Sequence, residues 1–257
     1  MSKKRISLTL ENDLVRRVDR KVDNNEFSNR SQAIESMIKE YLDHQKIKKA
    51  FILAGGDYEG DTPDSMINLN GKPLLEHTLS HLSTQGIEEV IIALGDRHEK
   101  IREHFGEAWK GIDITYLIEE EPLGTAGCLL KARKMLEDTF LMINGDILCK
   151  IDIKDMSARH RMNKALATIS LTTIDDISPY GVVKMKGEKI VGFIEKPSKE
   201  KAPSNLINAG VYILEPEVME LIPSETPTQI ESLFENLAGK EKLFGYVYEG
   251  EWRDIGT

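Results

Sequence analysis

Hydrophobic and polar positions follow two successive patterns in the first 45 residues. Residues 5–10 alternate strictly between polar and apolar side chains, which predicts a strand with one apolar face. Two stretches with helical spacing follow. The first opens at residue 11 or 12, and the second opens at residues 28–30, where a serine or an asparagine can serve as N-cap. The pattern therefore predicts a strand and two helices.

This short segment predicts association with a second copy of itself. About 45 residues with one strand leave the apolar faces poorly covered and give the strand no hydrogen-bonding partner. Two such strands that pair antiparallel across a two-fold axis form a ribbon narrow enough for the major groove of DNA. We therefore expect a homodimer, and whether two dimers meet as a tetramer on DNA is left open.

Residues 1–45 resemble the ribbon-helix-helix family of prokaryotic repressors, of the CopG, Arc and MetJ type. The resemblance is carried by Arg-Ile-Ser-Leu-Thr-Leu at 5–10 and by Phe-Ser-Asn-Arg-Ser-Gln-Ala-Ile at 27–34. It implies that the strand reads double-stranded DNA and that the second helix holds a phosphate at its N-terminus. The implied DNA-binding residues are Arg5, Ser7, Thr9, Ser28, Asn29, Arg30 and Ser31. The alternative is an arm that only dimerises.

The rest of the chain predicts an α/β domain. Residues 49–54 form a continuous apolar run that ends in glycines, as in a buried parallel strand that leads into a ligand-binding loop. Helical and strand patterns then alternate. The predicted helices cover 77–86, 99–105 and 129–136, and the predicted strands cover 89–94, 114–118 and 139–144. We expect a doubly wound, mostly parallel Rossmann-like sheet over residues 46–257, with ligands at the carboxyl ends of its strands.

The charge distribution separates the two parts further. Residues 1–49 contain 12 Lys or Arg and 8 Asp or Glu, whereas the rest contain 22 and 35. The basic segment can approach DNA, whereas the acidic part would be repelled unless it points away. The sequence shows no secretory signal and no apolar run long enough for a bilayer, so we expect a cytoplasmic protein without a membrane partner. Its two cysteines indicate neither a disulfide framework nor a zinc site.

Seven short motifs occur in the order seen in sugar-1-phosphate nucleotidyltransferases of the mannose and glucose type. They are Ala-Gly-Gly at 54–56, Asn-Gly-Lys-Pro-Leu-Leu at 70–75, Glu-Pro-Leu-Gly-Thr-Ala-Gly at 121–127, Asn-Gly-Asp at 144–146, Glu-Lys-Pro at 195–197, Asn-Ala-Gly at 208–210 and Trp-Arg-Asp-Ile-Gly-Thr at 252–257. Any one motif alone fits a glycine turn or a solvated charge. The complete set in one order favours a pocket for a nucleotide sugar or sugar phosphate.

The resemblance implies three groups of site residues. The nucleotide-binding residues are Ala54, Gly55, Gly56, Glu119, Gly124, Thr125 and Ala126. The residues that bind the sugar phosphate are Gly181, Glu195, Lys196 and Asn208. Asp146 and Asp254 are the implied ligands of Mg²⁺, which offsets phosphate charge in this family.

One loop departs from the family pattern. Active members continue the first glycines with Gly-Thr-Arg and later Pro-Lys, which supply donors for the triphosphate. Here the loop is shorter, it lacks the arginine, and Asp64 stands where the lysine is expected. With Asp57, Glu59 and Asp61, it puts four carboxylates near the triphosphate position. Like charges at this distance repel, so we expect poor triphosphate binding.

This departure leads to two hypotheses about function. The first is a DNA-binding transcription regulator that senses a nucleotide sugar or sugar phosphate and carries no catalytic residue that we can name. The second is an active, Mg²⁺-dependent sugar-1-phosphate nucleotidyltransferase that releases pyrophosphate, with an arm that dimerises it or regulates its own gene. We expect the first.

Overall fold

The computed structural model describes residues 4–23, 26–44, 46–55, 62–95, 98–223 and 227–256. Within the chain, contacts define two compact units, Met1–Lys46 and Ile47–Thr257. Among the described helices, none combines the length and the apolar character that a bilayer span requires.

The first unit consists of the segment 4–11, which forms no strand within the described chain where one was predicted at 5–10, and two helices. Helix α1 covers Asn12–Asp23 and helix α2 covers Arg30–His44, in agreement with the predicted order. Residues 4–11 have no ladder partner within the described chain. Ile6 and Leu8 are 65% and 54% exposed, so the apolar face of this segment is not covered inside one chain.

The two short helices pack on each other through small and branched side chains. Val18 of α1 and Ala33 of α2 are buried. The backbone N–H of Gln32 donates to the Asn29 side-chain oxygen over 3.0 Å, which confirms an asparagine N-cap at α2. Arg30 pairs with Asp19 through two nitrogen–oxygen contacts of 2.5 and 2.8 Å, so an ion pair also connects the helices.

The second unit contains fourteen strands and five longer helices among the described residues. The strands are β1 (Lys49–Leu53), β2 (Asn68–Leu69), β3 (Lys72–Pro73), β4 (Glu89–Leu94), β5 (Ala108–Trp109), β6 (Ile112–Ile118), β7 (Phe140–Asn144), β8 (Ile147–Cys149), β9 (Ala167–Thr173), β10 (Gly181–Lys186), β11 (Lys189–Glu195), β12 (Leu206–Leu214), β13 (Leu243–Val247) and β14 (Trp252–Asp254). The helices are α3 (Leu74–Gln85), α4 (Glu99–Phe105), α5 (Gly124–Ala132), α6 (Ile153–Asn163) and α7 (Ile230–Gly239). Short 3₁₀ helices cover Asp64–Met66, Arg133–Met135 and Pro216–Leu221.

A ten-stranded sheet organises this unit. Its strand order is β10-β11-β13-β9-β12-β7-β1-β4-β6-β5. Strands β7, β1, β4 and β6 are parallel, so their carboxyl ends meet at one edge. Strand β12 is antiparallel to both β7 and β9. Two further small sheets pair β14 with β8 and β2 with β3.

Apolar side chains cover both faces of the sheet. Along β1, Ala50 and Ile52 pack with α3, α4 and α6, whereas Phe51 packs with α5 and α7 on the opposite face. This burial on two sides explains why β1 reads as a continuous apolar run rather than as an alternation. The predicted α/β class, with helices on both faces, is confirmed.

Some predicted helix and strand bounds agree with the structure, and others are corrected by it. The predicted strand 89–94 and helix 99–105 match β4 and α4. Helices α3 and α5 begin three and five residues earlier than predicted, so the motif glycine Gly124 opens a helix instead of lying in a loop. The second half of the sheet adds antiparallel strands, which the predicted mostly parallel sheet did not include.

Candidate ligand-binding site

A cavity of about 510 Å³ opens where β1, β4 and β7 end, beside the start of α5. This is the edge at which doubly wound sheets bind ligands, and the volume suits a small molecule. Several predicted nucleotide-binding residues line it: Ala54, Gly55, Glu119, Gly124 and Thr125. Asp64 and Asp146 line it as well. The site is therefore built mainly from the loops that follow buried strands.

Two glycines allow the close backbone approaches around this cavity. A Cβ atom on Gly55 would lie 2.8 Å from the backbone nitrogen of Gly95. Gly124 has a φ of +74°, and a Cβ there would lie 2.5 Å from the carbonyl oxygen of Thr228. Both positions exclude larger residues, because the neighbouring atoms belong to the backbone and cannot move aside.

The wall near α5 combines an acidic side chain with a fixed helix start. The backbone N–H of Leu123 donates to the Glu119 carboxylate over 3.1 Å. The Thr125 hydroxyl donates to the Gln229 side-chain oxygen over 3.2 Å and accepts from the backbone N–H of Ile230 over 2.8 Å. These contacts hold the Glu119 carboxylate and the first turn of α5 in place before a ligand binds.

Ala126 does not share this position. It is fully buried and lies outside the cavity lining, and its backbone N–H donates to the Thr228 carbonyl over 2.9 Å. Its predicted place in the nucleotide pocket is therefore indirect, because it anchors the helix start to the segment before α7.

Three carboxylates lie near one another beside the cavity, and two of them, Asp64 and Asp146, line it. The pairing of β14 with β8 sets Asp254 opposite Ile147, next to Asp146 in the chain. The backbone N–H of Ile255 also donates to the Asp146 carbonyl over 2.9 Å. Burial raises the pKa of Asp146 to about 6, and the charges of Asp254 and Asp64 raise it as well. The pKa of Asp64 is raised by burial and by Asp254.

Asp146 and Asp254 fit a magnesium ion that is shared with a phosphate. One carboxylate oxygen of Asp146, Oδ1, is buried and has no hydrogen-bond partner among the described residues. Within those residues, no group of three acidic, histidine or cysteine side chains is placed to hold an ion. Mg²⁺ commonly uses only one or two carboxylates together with substrate phosphates and water, so two aspartates suffice.

The residues predicted for the sugar phosphate lie outside the lining of this cavity. Gly181 lies against the ring of Phe193 and the carboxylate of Glu195. Desolvation raises the pKa of Glu195 to about 7, helped by Glu231 and opposed by Lys196, although part of the Glu195 side chain is exposed. The structure therefore places Gly181, Glu195 and Lys196 together.

Asn208 connects this group to the core of the sheet. Its side-chain amide donates to the hydroxyl of the buried Tyr212 over 2.9 Å, and its side-chain oxygen accepts from the backbone N–H of Gly210 over 3.1 Å. Burial raises the pKa of Tyr212, and the negative charges of Glu231, Asp146 and Glu195 raise it further. Asp146 and Glu195 are thus both near enough to Tyr212 for their charges to act on its hydroxyl.

The predicted DNA-binding residues form two exposed sets in the first unit. Arg5, Ser7 and Thr9 are exposed in the segment 4–11. Ser28, Asn29, Arg30 and Ser31 are exposed around the start of α2. The Arg30 side chain is engaged with Asp19, so its first role is to connect the two helices.

Some predicted positions lie outside the described residues, and some site residues were not predicted. Gly56, Asp57, Glu59 and Asp61 belong to the first group. Ser65, His98 and Gln229 line the cavity but carry no motif that points to it. Gln229 directly precedes α7, and an amphipathic helix start is the one sequence signal that could have drawn attention to it.

The buried carboxylate predicts a pH-dependent stability. Asp146→Asn is expected to raise the melting temperature of the metal-free protein near pH 7.5 by a few degrees. The folded pKa of about 6 exceeds the unfolded value, so the stabilisation from proton binding is complete below about pH 4. It is lost as the pH rises through the folded pKa. Asparagine carries no charge, so its advantage shrinks on acidification.

Thermal unfolding in EDTA at several pH values measures this effect. Asp113→Asn, at an exposed position on β6, is the matched control and should leave the melting temperature unchanged. An Asp146→Asn variant as stable as the wild type at every pH would contradict the expectation.

Comparison with known proteins identifies two families along the chain. The family model named "Nucleotidyl transferase" matches residues 60–257. The family model named "Ribbon-helix-helix protein, copG family" matches residues 4–45. Together they cover nearly all of the described chain.

Curated relatives and solved structures match the second unit. Mannose-1-phosphate guanyltransferase of Yarrowia lipolytica is 37% identical over 202 residues, which are 76% of this chain and 55% of that protein. D-glycero-alpha-D-manno-heptose 1-phosphate guanylyltransferase of Aneurinibacillus thermoaerophilus is 34% identical over 216 residues, which are 81% of this chain and 93% of that protein. The chain thus spans little more than half of the first relative's length.

Among solved structures, a putative glucose-1-phosphate thymidylyltransferase from Bacillus anthracis superimposes with a TM-score of 0.74. The two are 25% identical, and the match covers 81% of this chain and 90% of that chain.

Proposed function

Because the chain belongs to the nucleotidyl transferase family and carries a ribbon-helix-helix module, we propose that it is a DNA-binding transcription regulator. Its second domain binds a nucleotide sugar or sugar phosphate as an effector and does not synthesise one. The named relatives transfer guanylyl groups, so a guanosine diphosphate sugar is the first ligand to test.

The observation that carries this proposal is the position of Asp64. Asp64 lines the cavity, and the negative charge of Asp254 raises its pKa. An active site for nucleotidyl transfer needs fixed cations and amides that bring two anionic substrates together and stabilise the leaving pyrophosphate. A carboxylate at the expected lysine position does the opposite.

A nucleotide sugar requires less positive charge from the site than the two substrates of nucleotidyl transfer do. It is one molecule with two bridged phosphates, and it brings fewer negative charges than a triphosphate and a sugar phosphate together. Mg²⁺ on Asp146 and Asp254 would offset part of its charge. The cavity near Glu119 and Gly55 offers hydrogen-bond acceptors and a flat approach for a nucleobase.

The first domain supplies the regulatory output in this proposal. The exposed apolar face around Ile6 and Leu8 pairs with a second copy, and the resulting ribbon carries Arg5, Ser7 and Thr9 towards the bases. Effector binding then changes DNA affinity through a coupling free energy between the two sites, and the coupling acts equally in both directions.

Titration of DNA with and without the effector tests the regulator. A DNA duplex selected by the full-length protein from a random pool is titrated in Mg²⁺, alone and with saturating GDP-mannose. We expect a change in affinity of about fivefold or more. Equal DNA affinity in the presence of every nucleotide sugar that binds would remove the sensing role.

The alternative is an active sugar-1-phosphate nucleotidyltransferase. The presence of both Asp146 and Asp254 favours it, and one Asp146 oxygen has no hydrogen-bond partner among the described residues. Incubation with Mg²⁺, mannose 1-phosphate and each nucleoside triphosphate, followed by pyrophosphate detection, decides between the two. Sustained turnover that EDTA abolishes would replace the regulator by the enzyme. We expect none.

A further inference from the structure

Ser65 presents a buried hydroxyl group at the ligand cavity. The residue lies in the short 3₁₀ helix Asp64–Met66 and is only 2% exposed, yet it belongs to the lining of the cavity. Its hydroxyl oxygen has no hydrogen-bond partner among the described residues. None of the family motifs includes it.

Two other buried hydroxyl groups of this domain have partners. The Thr168 hydroxyl contacts a ring nitrogen of His160 at 2.8 Å, and Ser170 accepts from the backbone N–H of Val211 over 3.2 Å. A buried polar group without a partner costs about 1–3 kcal/mol of stability. A hydroxyl that carries this cost, in a residue that lines the cavity, would be stabilised by donating to a ligand there.

The neighbours of Ser65 indicate which part of a ligand it meets. Asp64 precedes it in the chain and lines the same cavity, as does Asp146. Ionised carboxylates only accept hydrogen bonds, whereas a serine hydroxyl can donate. The part of the cavity that Asp64 and Asp146 line thus contains a neutral donor, Ser65, beside groups that repel an anion.

We propose that Ser65 is a ligand-binding residue that donates its hydroxyl hydrogen to a phosphate oxygen of the bound nucleotide sugar. This inference rests on the proposed function, because it requires that the cavity binds such a ligand. The hydroxyl supplies a hydrogen-bond donor, which Asp64 at the expected lysine position does not. Unlike a lysine, it adds no positive charge that would attract a triphosphate. It therefore favours the bridged diphosphate of a nucleotide sugar.

Ser65→Ala separates a ligand contact from a structural contact. The wild-type hydroxyl has no partner to lose among the described residues, so the variant should melt at the same temperature as the wild type or slightly higher. Affinity for GDP-mannose in Mg²⁺ should fall about tenfold, as for the loss of one hydrogen bond to a charged group. Affinity for guanosine, which has no phosphate, should not change. Titration calorimetry and thermal unfolding of the full-length protein measure all three.

Two further variants control the experiment. Ser157→Ala removes a buried hydroxyl on α6 that accepts from Arg161, so it should lower stability and leave GDP-mannose affinity unchanged. Ser65→Cys keeps nearly the same shape with a much weaker donor and should lose GDP-mannose affinity as Ser65→Ala does.

The outcomes distinguish this inference from the function on which it rests. If wild-type protein binds neither GDP-mannose nor guanosine, both fail. If it binds GDP-mannose and both Ser65 variants bind it equally well, the inference is overturned and the proposed function stands. A loss of stability in Ser65→Ala, or an equal loss of affinity for guanosine, overturns the phosphate contact.

Discussion

Asp64→Lys is expected to increase the affinity for guanosine triphosphate in Mg²⁺ by about 100-fold or more. The substitution replaces a negative charge by a positive one at the cavity wall, beside Asp146 and near Asp254. One charge pair at ~4 Å contributes about 4 kcal/mol at an effective dielectric constant of ~20. Solvent at the open cavity reduces this amount, and about 3 kcal/mol corresponds to the expected change.

A charge series makes this expectation specific. Asp64→Asn removes the repulsion without adding a cation, so its triphosphate affinity should lie between those of the wild type and Asp64→Lys. Asp113→Lys makes the same change in net charge at the amino end of β6, away from the carboxyl ends of the strands, and should have little effect. Triphosphate binding by titration calorimetry is the measurement.

The same series tests whether repulsion by Asp64 prevents the domain from synthesising a nucleotide sugar. If all three position-64 forms bind the triphosphate equally, repulsion by Asp64 does not limit the site. We expect Asp64→Lys to bind the triphosphate without turning it over rapidly, because the arginine of the family loop is still absent. Pyrophosphate release measured on the same samples separates binding from chemistry.

Arg5→Ala is expected to weaken binding to the selected DNA duplex by about 100-fold or more, since each dimer would lose two base contacts of about 1–3 kcal/mol each. Arg5 is exposed in the segment 4–11, and the alternation of the sequence predicts it on the face opposite Ile6. Removing it should leave the buried Val18 and Ala33 undisturbed. Circular dichroism and sedimentation should therefore match those of the wild type.

Lys39→Ala is the matched control for Arg5→Ala. Lys39 lies on α2, is 70% exposed at its side chain and pairs with Glu35 at 3.3 Å, so its loss also removes one positive charge. At one fixed salt concentration, its effect on DNA affinity should be far smaller. Equal losses in the two variants would reduce the role of Arg5 to general charge attraction.

Local sequence patterns predicted the helices and strands whose buried residues recur with a regular period. Strand β4 and helix α4 were predicted with their observed bounds, because the strand is apolar on both faces and the helix carries its own periodic stripe. The early start of α5 could not be predicted in this way. The backbone N–H groups of Ala126 and Gly127 donate to Thr228, about 100 residues further along the chain.

The sequence by itself determined the family, the two-part organisation and the loss of the lysine at Asp64, because motif order and residue identity are written in the chain. Only the tertiary structure decided which of these residues meet. The pairing of β14 with β8 brings Asp254 to Asp146, and burial then raises the Asp146 pKa. Burial of the Ser65 hydroxyl without a partner among the described residues is likewise a property of the folded chain, since hydrogen bonding and desolvation depend on neighbours that sequence order does not specify.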